Sequence, residues 1–165
     1  MKISRIKLVA LAITMGLSSS TVALTPAYAA ATQADVDYST QVSQLTTTLA
    51  KVAADYDKAH ANPPIFAVGS KFKAYKDRAT KTSDKFLLVI KKLKGLTPSS
   101  GFAKSGPMLT SYMDLLEKAV TATNAAINKN DTKAIQNGNK MMANVGSASS
   151  AWSKAYADDA AALNG

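Results

Sequence analysis

Apolar residues in this chain recur every three or four positions along four long stretches, and no stretch shows the one-by-one alternation of a half-buried strand. A 3-4 rhythm places side chains on one face of a helix, so the chain is committed to helices that bury a stripe each. The first stretch runs over 35–60, with Tyr38, Val42, Leu45, Leu49, Val52, Tyr56 and Ala59 on its stripe. Asn62-Pro63-Pro64 ends it, because a residue before proline is pushed out of the α region. The second covers about 64–93, through Ile65, Val68, Phe72, Tyr75, Ala79, Phe86, Val89 and Leu93. Gly69 is a weak point that allows a later start near Ser70, and Gly95 suits the C-terminal cap.

The third stripe is clear from Pro107, with Leu109, Tyr112, Leu116, Val120 and Ile127, after a proline- and glycine-bearing connection over 97–107. Asn128-Lys129-Asn130 reads as a turn and Asp131 as the N-cap of the fourth helix, whose stripe includes Ile135, Gly138, Met142, Val145, Trp152 and Tyr156. Gly138, Gly146 and the serines around them lower the propensity of that helix. Packing must therefore hold it straight, or it bends near Gly146; small residues there also let a neighbour approach closely. Four amphipathic helices with short connections predict an all-α fold, an antiparallel up-down-up-down four-helix bundle.

The N-terminus constrains location rather than fold. Lys2, Arg5 and Lys7 precede an uncharged apolar run, and Ala27-Tyr28-Ala29 offers small residues at a cleavage site. This is the layout of a secretory signal peptide over 1–29, leaving 30–165 as a single exported domain. The apolar run is short for a membrane span, and no further span is expected after its removal. With no cysteine in 165 residues, neither a disulfide nor a lipid-bearing thiol is available. A chain of this size can bury a sufficient core without such staples.

Charge is concentrated in one helix. Residues 71–95 hold nine Lys or Arg against Asp77 and Asp84, whereas the rest of the chain after residue 29 holds eight against nine acids. With Phe72 as the first heptad position, Lys71, Arg78, Lys85 and Lys92 fall in one column beside the apolar stripe, about 10 Å apart. Lys91 and Lys94 lie on the other side. Two readings compete. The row is a grip for an anionic polymer or surface: wall teichoic acid, phospholipid headgroups, extracellular DNA or acidic glycan. Otherwise it is a solvated flank, its stems covering the core while the ammonium groups stay in water, some of them facing acids such as Asp55, Asp57, Asp114 or Glu117. Leu87 and Leu88 lie off the stripe; burial at the end of the bundle is expected for both, the alternatives being packing against loops, a partner contact or a membrane surface.

Chemistry has little to build on. His60 is the single histidine, no His/Cys/Asp/Glu cluster has metal-ligand spacing, and no nucleophile or phosphate-loop motif is present. An enzyme, a cofactor and a metal are therefore not expected, nor is sequence-specific nucleic-acid recognition, since the aromatics lie on core stripes. The expected function is a secreted, non-enzymatic interaction protein, held at an anionic cell-envelope surface by Lys71, Arg78, Lys85 and Lys92 with Lys91 and Lys94 assisting. The alternative is a small apolar ligand or protein partner bound in a groove beside the fourth helix, using Trp152, Met141 and Met142.

Overall fold

The computed structural model describes residues 31–61 and 69–163. The signal peptide read over 1–29 lies outside the described residues, as does the segment 62–68 with the expected helix start at Pro64. Among the described residues the fold is all-helical, with four α-helices, one 3₁₀ turn and no strand: α1 Gln33–His60, α2 Ser70–Lys94, the 3₁₀ turn Ser100–Phe102, α3 Ser105–Asn128 and α4 Thr132–Ala162. No helix among them is long and apolar enough to cross a membrane.

Each helix starts and stops for a local reason. Thr32 caps α1: its hydroxyl accepts from the backbone N–H of Asp35 at 3.2 Å, and Asp35 accepts from the backbone N–H of Thr32 at 2.8 Å. This reciprocal arrangement satisfies two N–H groups that the first turn leaves over. Gly69 precedes α2 at a φ of +79°, a conformation that side-chain-bearing residues resist. The α3–α4 turn closes with the N–H of Asn130 on the carbonyl of Ile127 (3.0 Å) and that of Asp131 on Ala126 (2.9 Å), with Asn130 left-handed at φ 54°. These are the two bonds of a Schellman stop. Asp131 then caps α4 at once, accepting from the N–H of Ala134 at 2.9 Å.

Successive helices pack: α1 on α2, α2 on α3, α3 on α4. Contacts between α3 and α4 run in opposite residue order, since Ser105 meets Asp159 while Thr123 meets Gly138. Leu49, Phe86, Ile90, Leu93, Tyr112, Leu116 and Trp152 form the centre of the core, all of them fully buried. One end is closed by a residue that belongs to no helical stripe. Phe102, in the 3₁₀ turn, stacks on Tyr156 of α4 at 4.9 Å and meets Tyr38 of α1 at 5.1 Å. The same connection is tied down by carboxylates from both sides: the N–H of Gly101 donates to Asp35 at 2.9 Å, and the N–H of Ser105 donates to Asp159 at 2.8 Å.

Gly138 and Gly146 behave differently within one unbroken helix. A Cβ on Gly138 would run into the hydroxyl of Thr123 and stand 3.2 Å from that residue's Cα, whereas a Cβ on Gly146 would meet nothing within 4 Å. The first glycine permits the close approach of α3 and α4. The second permits nothing visible, and α4 does not break there.

Candidate functional site

The amphipathic pattern of α2 fixes what its cations face. Tyr75, Ala79, Ser83, Phe86, Val89, Ile90 and Leu93 are buried, so the inward stripe lies where the 3-4 rhythm puts it. Lys71, Arg78, Lys85, Lys91 and Lys92 are all exposed. From Lys71 to Lys92 the row spans about 30 Å of helix axis. None of these five has a carboxylate within ion-pair distance among the described residues. The guanidinium of Arg78 lies 5.8 Å from the centre of the Tyr75 ring, a cation–π contact that holds it against the helix without neutralising it.

Lys94 is different. It sits on the flank of α2 that meets α3, half-buried, with its ammonium 2.6 Å from Asp114 and 2.5 Å from Glu117. Hydrogen bonds from the ammonium to these two carboxylates hold the Lys94 pKa above its usual value. The residue binds α2 to α3, and its charge is already met by two carboxylates. Lys73 is likewise matched, to Asp77 at 2.6 Å one turn along. Asp55 and Asp57, which could have met the row from α1, form no ion pair among the described residues.

Three carboxylates are committed elsewhere. The carboxylates nearest the helix ends are used on backbone N–H groups: Asp35 on Thr32 and Gly101, Asp131 on Ala134, Asp159 on Ser105. Asp35 also accepts from the Thr32 hydroxyl at 2.7 Å, and that bond, followed by the one from the Thr32 backbone N–H, holds its carboxyl well below the usual carboxylate range. Beside the row, Lys76, Lys81, Lys85, Thr80 and Asn128 with Asp77 and Asp84 line an open concavity of about 530 Å³. Its two acids offset two of its three lysines, so it is less basic than the outward face next to it.

His60 is buried at the end of α1. Its Nδ1 donates to the Tyr56 carbonyl at 2.7 Å and its ring stacks on Tyr56 at 3.7 Å. Burial lowers its pKa, and the charge of Arg78 adds to that. No group of three or more His, Asp or Glu side chains among the described residues could hold a metal ion.

The residues named for a groove beside α4 are placed as packing elements. Trp152 is 1% exposed, stacked on Tyr112 at 5.9 Å and set against Tyr156 at 5.7 Å. Met141 and Met142 are half-buried against the same core. Leu87 packs against the core as expected, but Leu88 does not: it remains 57% exposed. The two leucines differ by 100° of helical turn, which suffices to carry Leu88 past the edge of the core.

Compared with known proteins, the chain matches no protein-family model, no curated protein and no solved structure.

Proposed function

We propose that this is an exported, non-enzymatic interaction protein retained at an anionic cell-envelope surface by the outward face of α2. The proposal takes residues 30–165 as an antiparallel up-down-up-down bundle released from a signal peptide at 1–29. The observation that carries it is the contrast among cations on one helix. Lys94 and Lys73 are matched by carboxylates, while Lys71, Arg78, Lys85, Lys91 and Lys92 are exposed and unmatched among the described residues.

Stability does not account for the whole row. Lys91 and Lys92 stand in the last turn of α2, where cations complement the helix dipole. Lys71 stands in the first turn, where a cation opposes it and where no acid is present to compensate. Arg78 and Lys85 lie mid-helix with no such role. A row of like charge costs self-repulsion, and an anionic surface relieves it.

Retention on cell-envelope preparations and on anionic vesicles tests this reading. Changing Lys71, Arg78, Lys85 and Lys92 together to Gln should release the protein, at roughly 1 kcal/mol of binding per residue. Retention that survives those four changes would end the proposal.

A further inference from the structure

The basic face of α2 carries one residue that electrostatics does not require. Leu88 and Leu115 are the large apolar side chains left exposed among the described residues, at 57% and 41%. Leu88 lies about 200° around the helix from both Phe86 and Ile90, which are buried, so it points away from the core. Its neighbours one turn away on either side are Asp84, Lys85, Lys91 and Lys92, with Lys81 two turns back, and all five are exposed. None of the four lysines has a carboxylate partner among the described residues. Leu115 has no such setting: Lys118 is the lone cation within a turn of it.

Resting on the reading that this face meets an anionic surface, we propose that the surface is a phospholipid bilayer with anionic headgroups. Leu88 inserts at the headgroup–acyl boundary, and Lys81, Lys85, Lys91 and Lys92 engage the phosphates around it. A soluble polyanion supplies counter-charge to the lysines but leaves the leucine in water. A bilayer interface supplies both in one place, with apolar depth of about 5–10 Å below the headgroups. Lysine stems are long enough to lie along the apolar boundary while their ammonium groups stay among the phosphates. Attachment is peripheral and reversible, since one leucine and a few lysines make a weak anchor.

The chain has no cysteine, so Leu88→Cys creates a single labelling site for an environment-sensitive fluorophore, with Ser43→Cys on the exposed side of α1 as control. On phosphatidylglycerol-containing vesicles the label at position 88 should shift to the blue and be quenched by brominated lipid, while the label at 43 does neither. Without any label, Leu88→Gln should bind these vesicles about tenfold more weakly yet bind soluble polyphosphate as the parent does. Equal vesicle binding by Leu88→Gln, or an unshifted label on bound protein, would overturn the lipid assignment while salt-sensitive polyphosphate binding keeps the anionic-surface reading. Failure to bind both vesicles and polyphosphate would overturn the two together.

Discussion

The two flanks of α2 carry the same residue type and meet different fates. On the flank toward α3, Lys94 is half-buried between Asp114 and Glu117. On the outward face, Lys85 and Lys92 are exposed with no carboxylate partner among the described residues. Sequence spacing assigns a lysine to an edge of the helix, but the neighbour across that edge decides whether it is a structural cation or a free one. Where the acids of the other helices fall decides which lysines are tied into the fold and which are left to solvent.

Mutations on the two sides of α2 should separate by an order of magnitude. Phe86 is fully buried and meets the Tyr56 ring at 5.3 Å, so Phe86→Ala should lower the unfolding free energy in urea by about 3–5 kcal/mol. A loss below about 1 kcal/mol would mean the inward stripe is wrongly placed. The glycines of α4 extend the comparison to occupied and open space. Gly138→Ala should cost about 1–3 kcal/mol despite the better helix propensity of alanine, because its methyl group collides with Thr123. Gly146→Ala should raise stability by about 0.5–1 kcal/mol, because alanine gains propensity there and meets no atom. Equal signs for the two would contradict the close approach of α3 to α4 at Gly138. Smallest of all, Lys85→Gln and Lys92→Gln should each change stability by no more than about 0.5 kcal/mol.

Acidity offers a further separation. Burial depresses the His60 pKa in the folded chain, so the unfolded chain takes up the proton first as pH falls. The contribution of neutral His60 is therefore complete above the unfolded value of about 6.5 and is lost on acidification through the lower folded value. Urea midpoints measured between neutral and mildly acidic pH should fall for the parent, and fall less for His60→Gln. Identical slopes would place the imidazole in water rather than against Tyr56.

Much of the helical plan was legible from spacing alone. Asp131 as an N-cap, the Asn128–Asn130 turn, and the inward placement of Phe86, Leu116 and Trp152 need only local rules and the 3-4 rhythm. The end of the fold was not legible. Phe102 sits in an irregular connection with no periodic neighbours, so nothing in the sequence marks it as the residue between Tyr38 and Tyr156. Asp159 stands close to the end of the last helix, where spacing gives it no role, yet it accepts from the N–H of Ser105 across 54 positions. Contacts at that separation are fixed by packing and leave no local signature. Thr32 was missed as a cap because the residue three positions on is Asp35, where the usual pattern has a longer acid or amide. Within the basic row, spacing could not divide Lys94 from Lys91 and Lys92, since the division depends on α3.

The sharpest measurement is the salt dependence of binding to anionic vesicles, for the parent chain and for the variant with Lys71, Arg78, Lys85 and Lys92 changed to Gln. Attachment through the outward face of α2 predicts that parental affinity falls about a hundredfold from about 50 to about 200 mM salt, as counterions return to the surface. The variant should start weaker and show a much flatter slope. Parental binding indifferent to salt, or a variant that follows the parental slope, would contradict the assignment of that face.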